Sequence, residues 1–435
     1  MRAKISVTAA GDFMPQRRVP ENYQGFEEVS SFIKRADARF FNLETTLNYE
    51  GECPASQFSG GTYIRTVPEV LDDLKKFGFN MATANNNHAL DFSYEGLERT
   101  RTSLDESGLV HAGIGRNLAE ASAPRYLDTK NGRVALIAVN TSFHPPMMAG
   151  KQTERVKGRA GINGLRIAKK LTVNREELEF IKKLAERTHV NLETEIDRRD
   201  GYFTDLPDGE VEFGNIKLVL GEKTGRVMTP NEEDMKRIER SIFEAKLQAD
   251  YVMVSLHNHQ LDGEEKEDVP AFLSDVSRRF IDMGADAIVG HGPHLLRAIE
   301  VYKNKPIFYS LGDFILELYS IDFAPDDFFA QYGLDANSDT VHCLLEKRSK
   351  GFKIGLMEDK KMLETIIPLW ETDEKGDLVS LKFLPVELDR KCKKSDEGLP
   401  RRAKDLGLVE RLAEISKPYG VEMTVEDDGT VTCKW

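Results

Sequence analysis

The run Gly284-Ala285-Asp286-Ala287-Ile288-Val289, followed at once by Gly290-His291-Gly292-Pro293-His294, constrains this chain more than any other stretch. Its apolar, β-branched part has the length of a strand buried on both faces. Glycine and proline end that strand abruptly, so two histidines three apart sit on rigid backbone and face one loop. Two more strand-like runs, 295–302 and 306–311, follow across the polar turn Lys303-Asn304-Lys305. Neutral imidazole is the commonest protein ligand for a transition metal. One such histidine alone would be an ordinary core or surface residue, so the weight falls on whether other strand ends carry matching ligands.

They do. The first strand, 4–10, closes in Gly11-Asp12-Phe13-Met14. A helix is expected near 24–35, and 38–44 is a strand ending in the carboxylate of Glu44. A loop through Gly51, Gly60 and Gly61 leads to a helix over 68–77, with Pro68 at its start and Gly78 as its stop. Residues 80–83 form a strand that runs into Ala84-Asn85-Asn86-Asn87-His88, and Ser93 caps a helix through Leu104. A short strand at 110–112 precedes Gly113-Ile114-Gly115-Arg116-Asn117. The runs 125–128 and 133–140 then pair across Asn131-Gly132, a strong hairpin signal. Thr229-Pro230-Asn231-Glu232 caps a helix to about Gln248, the buried strand 251–256 ends in His257-Asn258-His259, and a helix over 268–283 returns to the opening run. Strands alternating with helices are the signature of an α/β sheet.

At 435 residues the chain suits a large domain with insertions. The expected division is a core over 1–340, interrupted by a polar insertion at about 141–228. That insertion carries a helix at 176–187 and a hairpin around 201–214, and is of the kind that forms lids and specificity loops. Residues 341–435 read as strands at 341–345, 362–369 and 378–385, a helix at 402–416 and a closing hairpin across Asp428-Gly429, all packing on the core. With 40% hydrophobic and 31% charged residues the chain is soluble and globular in character. A net charge of −13 argues against a nucleic-acid partner. Four scattered cysteines without CxxC spacing point to a reducing compartment. Neither a leader-like segment nor a long apolar run is present, so the expectation is a cytoplasmic protein without a membrane segment.

Asp12, Glu44, Asn87 with His88, His257 with His259, and His291 with His294 each follow a predicted strand. A doubly wound or two-sheet α/β core gathers strand ends along one rim, where ligands bind. Singly, Asp12 could be a turn acid, Glu44 a surface acid and Asn85-Asn86-Asn87 a plain turn; their coincidence at successive strand ends argues otherwise. Carboxylates, a carboxamide and imidazoles together suit Mn, Fe or Zn and are too rich in nitrogen for Ca or Mg. They exceed the roughly three protein ligands of a catalytic zinc site, so two divalent ions about 3.5–4 Å apart are expected. Glu44, central in the order, is the bridging candidate. Of His257 and His259, His257 directly ends the predicted strand and is favoured as the ligand. His88 would face the substrate as general acid or electrostatic stabiliser, oriented by Asp91. His111, His144, His189 and His342 read as ordinary.

These segments, with Asn42-Leu43-Glu44, Ala89-Leu90-Asp91 after His88, Val254-Ser255-Leu256-His257 and Tyr309-Ser310-Leu311-Gly312-Asp313-Phe314, resemble the CapA (PGA_cap) family over about residues 5–315. That family is a branch of the calcineurin-like metallophosphoesterases associated with capsule and poly-γ-glutamate biosynthesis. The resemblance implies a four-layer α/β/β/α sandwich and a metal-dependent hydrolase. It also implies one metal on Asp12, Glu44 and His294, the other on Glu44, Asn87, His257 and His291, and His88 as the catalytic histidine. Two departures stand out: Met14 occupies a position where phosphoesterases carry a histidine, and Glu44 replaces the usual bridging aspartate. The stretch 159–166 looks like an insertion segment of longer members.

Arg116, Arg159, Arg166 and Arg297, with Asn163, fall in or near the rim loops. Planar guanidinium groups suit phosphate or carboxylate, so these residues are expected to bind an anionic substrate, either a phosphate ester or a γ-glutamyl or amide compound. Activated water attacks phosphorus and carbonyl carbon alike, and the motifs do not choose between them. Two readings follow: a dinuclear-metal hydrolase, favoured by His88 and the full second metal site, or a non-catalytic polyanion-binding scaffold of capsule assembly, favoured by Met14. Nothing in the sequence sets the oligomeric state.

Overall fold

The run that opens the chain becomes the strand Ser6–Met14, buried from Val7 onward. The computed structural model describes residues 4–388, 390 and 392–435. Ala38–Leu43 and Asp313–Leu316 pair with this first strand in parallel, and Glu364–Thr372 runs antiparallel to it. Met81–Thr83 and Val110–Ala112 extend the resulting ten-stranded sheet on one side. Leu378–Leu388 and the C-terminal hairpin of Glu422–Val425 with Val431–Lys434 extend it on the other. A second, six-stranded sheet centres on Gly132–Asn140, Tyr251–His257 and Ala287–His291, which are mutually parallel. The fold is therefore mixed α/β with several sheets.

Period-two alternation decides which side of the first sheet each residue serves. Val7, Ala9, Phe40 and Met81 point one way and form a single apolar cluster with Val134, Leu136, Tyr251, Met253, Ala287 and Val289 of the second sheet. Their neighbours Ala10, Phe41 and Ala82 point the other way and pack with Val29, Leu74, Leu97 and Leu104 from the covering helices. Trp370 Nε1 donates to Tyr251 Oη at 2.8 Å, which satisfies two polar atoms buried between the sheets. The helix Val70–Phe77 buries Val70, Leu71, Leu74 and Phe77 on one stripe and stops at Gly78, whose φ of 109° is the left-handed stop expected of glycine.

The chain divides into two compact units, Met1–Leu165 with Lys236–Trp435, and Arg166–Met235. The smaller unit holds a four-stranded sheet with Ile167–Val173 between Ile216–Leu220 and Gly225–Pro230. Its helix Arg175–Thr188 starts in a capping box of Asn174 and Glu177. The hairpin expected around 201–214 lies further along, Glu210–Phe213 pairing with Ile216–Leu220, and a second helix, Leu192–Arg199, was not foreseen. Residues 141–165 belong to the larger unit, where Gly161–Ile162 pairs with Ile114–Gly115. The strand expected at 341–345 is instead the helix Val341–Arg348, capped by the Thr340 hydroxyl accepting from Cys343 N. Val341, Leu344 and Leu345 satisfy helical spacing as well as an apolar run, and so short a run does not separate the two periods.

Candidate metal centre

Parallel pairing brings the strand ends into register, Asp12 opposite Asn42 and His257 opposite His291. Asp12 is fixed from both sheets: its Oδ1 accepts from Asn42 Nδ2 at 2.7 Å and its Oδ2 from Gly292 N at 2.8 Å. His291 Nδ1 lies 3.4 Å from Asp12 Oδ1, and His294 Nδ1 lies 3.8 Å from Asp12 Oδ2. The tight turn that presents both histidines depends on Gly292, with φ 120°; a Cβ there would stand 2.8 Å from Asn258 O. His294 itself takes φ 62°, the left-handed region that a non-glycine residue holds only when its surroundings enforce it. Its Nδ1 meets Asp313 Oδ1 at 2.9 Å.

The three consecutive asparagines do three different jobs. Asn85 Nδ2 donates to the carbonyls of Ala138 and Asn163, which ties the loop to the second sheet. Asn86 Nδ2 donates to Asn42 Oδ1 and Leu43 O, while its Oδ1 accepts from His88 N. Asn87 Nδ2 donates to Gly60 O, and this turns its Oδ1 toward His257 Nε2 at 2.7 Å and His259 Nε2 at 3.1 Å. His88 Nδ1 meets Asp91 Oδ2 at 2.7 Å, and Asp91 is itself held by the amides of Gly60 and Ile64. The other ring nitrogen, Nε2, stands 4.0 Å from Glu44 Oε1.

Glu44 is fully buried and neither of its carboxylate oxygens has a hydrogen-bond partner. Its Oε1 lies 3.6 Å from His257 Nε2 and 3.7 Å from His259 Nε2. Burial, and then the charge of Asp12, pushes the Glu44 carboxyl well above the usual range. An uncompensated buried carboxylate costs several kcal/mol, so the site asks for a cation. Burial also holds His257 and His259 well below the ordinary imidazole range, leaving them neutral with lone pairs available. Burial pushes Asp12 up, but the hydrogen bond and charge of His291, with the charge of His294, outweigh it and leave this carboxyl well below its ordinary value. Burial pushes Asp313 up to about 6.

This donor set fits divalent metal. Three groupings place ligand atoms within 4.8 Å of one another: Asp12 with His257 and His291, Glu44 with His259 and His294, and Asp12 with His294 and Asp313. His257 Nδ1 to His291 Nδ1 is 2.8 Å and His257 Nε2 to His259 Nε2 is 2.9 Å. Neighbouring ligands on one ion, each bonded at about 2.0–2.2 Å, stand about 3 Å apart.

Asp12, Glu44, Asn87, His88, Asp91, His257, His291 and His294 thus share one neighbourhood. His259 joins them, which corrects the preference for His257 alone: two residues on from His257 it falls on the same side, as period two requires, and its Nε2 lies 2.9 Å from His257 Nε2. Arg297 holds the His257–His259 turn. Fully buried, its guanidinium donates to Asn258 Oδ1, Gln260 O and Lys266 O at 3.0, 3.0 and 3.1 Å. Asp313 and Asn42 also belong to the centre; both lie in quoted motifs, but spacing alone gave them no role. Met14, where a further ligand would stand, is buried in an apolar cluster with Tyr63, Ile64, Phe92 and Leu316.

The expected substrate-binding set does not assemble. Arg116 is exposed and paired with Glu120. Arg159 is exposed and donates to Met148 O. Arg166 pairs with Asp234 on the smaller unit. Asn163 is buried, donates to Ala138 O and accepts from Arg237. Arg297 is spent on the turn. Rim loops identified by sequence alone do not say which way their side chains face.

Residues 6–317 match the family described as bacterial capsule synthesis protein PGA_cap. The chain belongs to that family. Every metal-centre residue from Asp12 to Asp313 lies inside the PGA_cap match. Among relatives, the uncharacterized protein y4sH of Sinorhizobium fredii is 32% identical over 97% of this chain and 92% of its own length. The capsule biosynthesis protein CapA of Bacillus anthracis is 24% identical over 72% of this chain and 60% of its own length. The PGA biosynthesis protein CapA of Bacillus subtilis is 25% identical over 72% and 63%. A solved structure of a hypothetical protein from Thermus thermophilus matches at a TM-score of 0.39 and 12% identity, covering 88% of this chain and 99% of that one, too remote to bear on the chemistry. Among the described residues of this PGA_cap member, no helix is long and apolar enough to cross a membrane.

Proposed function

We propose that this PGA_cap protein is a metal-dependent hydrolase of the CapA, poly-γ-glutamate biosynthesis type, acting on an anionic substrate. The frame proposed is the four-layer α/β/β/α sandwich of the metallophosphoesterases. The cofactor proposed is two divalent ions drawn from Mn, Fe or Zn. Asp12, His294 and Asp313 would hold one side, Asn87, His257, His259 and His291 the other, and Glu44 would join them. The single observation that carries this reading is the buried Glu44 carboxylate, with neither oxygen partnered and three imidazoles within 4.0 Å of its Oε1.

A divalent ion bound there supplies a water of near-neutral pKa and electrostatic stabilisation for the anion that develops on substrate. The remaining work belongs to side chains. Asp91 fixes the His88 ring through Nδ1 and leaves Nε2 toward the centre. When protonated, His88 Nε2 can donate to the departing oxygen or nitrogen, the general-acid step. Asn42 and the Gly292 amide hold Asp12 in its ionised orientation.

The test is turnover of the Mn-loaded protein against phosphate esters and γ-glutamyl amides. Hydrolysis of one class, lost in His88→Ala while metal is retained, supports the reading. Met14 favours the second reading, a non-catalytic polyanion-binding scaffold. Turnover of neither class, with poly-γ-glutamate bound, would select it.

A further inference from the structure

A cavity of about 640 Å³ opens among residues that lie mostly beyond the PGA_cap match. Its size is that of a small-molecule site. Two residues connect it to the metal centre. Thr62 lies in the loop whose Gly60 and Ile64 amides hold Asp91. Lys266 gives its carbonyl to Arg297, which holds the His257–His259 turn.

The walls combine two kinds of surface. Leu345 and Met357 are buried apolar residues, with Leu318 beside them. Lys266, Arg348 and Lys353 also line the cavity, and among the described residues none of the three forms an ion pair with a carboxylate. Two acids also line the cavity: Glu358 is engaged by Arg390 and Tyr319, and Asp359 accepts from Lys361 N. Arg348 is pre-positioned: it donates to Thr62 Oγ1, and its guanidinium lies 5.8 Å from the centroid of the Phe328 ring. Uncompensated cations above apolar walls complement an anionic group joined to an apolar body.

We infer that this cavity is the specificity site for an organic anion, with Arg348, Lys266 and Lys353 gripping its phosphate or carboxylate and Leu318, Leu345 and Met357 covering its aliphatic or aromatic body. The inference rests on the hydrolase reading for its role in turnover, not for its binding chemistry. Its test therefore uses metal-stripped protein and a ligand that cannot be hydrolysed. Calorimetric titration with phenylphosphonate is expected to show binding roughly tenfold tighter than that of inorganic phosphate, the difference reporting the apolar wall. Arg348→Ala is expected to weaken phenylphosphonate by at least about tenfold, as befits a charge-assisted contact. The Lys353 side chain is exposed and Lys353→Ala leaves the packing untouched; it is expected to cost about fivefold. No binding of phenylphosphonate, or equal affinity in wild type and Lys353→Ala, overturns the inference. Either result leaves the turnover test of the metal centre unaffected.

Discussion

Glu44 Oε1 stands 3.6 Å from His257 Nε2, and the carboxylate it belongs to accepts no hydrogen bond at either oxygen. A fully buried acid in that state destabilises the metal-free fold, and only a cation turns it into an asset. Glu44→Gln keeps the shape and removes the charge. The variant is expected to melt at a higher temperature than wild type in chelator, because the cost of burying this carboxyl beside Asp12 is gone. At metal concentrations a hundredfold above Kd the wild type gains about 2.7 kcal/mol for each ion bound and the variant gains none. Melting curves with and without Mn read both effects.

The His88–Asp91 pair predicts a separation of metal binding from turnover. His88 Nε2 is 4.0 Å from Glu44 Oε1, farther than the His257 and His259 nitrogens at 3.6 and 3.7 Å. His88→Ala is expected to lower kcat by about 10²–10⁴-fold, the usual worth of a general acid, with metal content unchanged. Asp91→Asn is expected to give a smaller loss, since its one carboxamide oxygen can still take the Oδ2 place that meets Ile64 N and His88 Nδ1, while Gly60 N loses its acceptor. Metal analysis and kinetics on the same samples check the separation.

Arg297 predicts a stability effect that propagates to the metal. Burial lowers its pKa to about 10, yet it is committed to three acceptors around the His257–His259 turn. Arg297→Ala leaves those acceptors buried without a donor and is expected to destabilise by about 3 kcal/mol, read by urea unfolding, and to weaken metal binding. Arg297→Lys is expected to recover only part of the loss, because an ammonium cannot span the fork.

Gly60 sits against the centre with no room for a side chain. A Cβ there would lie 2.6 Å from Asn87 Nδ2 and 2.6 Å from two atoms of the His88 ring. Gly60→Ala is expected to fold, since the loop can shift, while lowering both metal affinity and kcat. Unchanged kinetics in this variant would mean that neither Asn87 nor His88 depends on the observed loop.

The sequence was most legible where short-range rules act alone. The runs before Asp12, Glu44, Asn87, His257 and His291 are buried strands because burial on both faces requires continuous apolar residues, and their ends meet because parallel pairing aligns them. Rules failed where tertiary geometry takes over. His259 needs no tertiary exception: two residues from His257, it shares that residue's side under period two, and favouring His257 alone overlooks this. Arg116 and Arg166 lie in predicted rim loops, and no local pattern tells that Glu120 and Asp234 pair with them. Arg348 has no local signal because the apolar run 341–345 fits a strand as well as the helix that carries Arg348 to the cavity wall. Asp313 is paired with Asp12 across a parallel register that begins only after a long crossover, a contact no local pattern announces.

The most direct measurement is the metal content of the purified chain, by elemental mass spectrometry after loading with Mn, Fe or Zn and removal of excess. Close to two ions per chain in the wild type, falling toward none in Glu44→Gln, is the predicted result. A wild-type chain that emerges from loading with no bound metal contradicts the account.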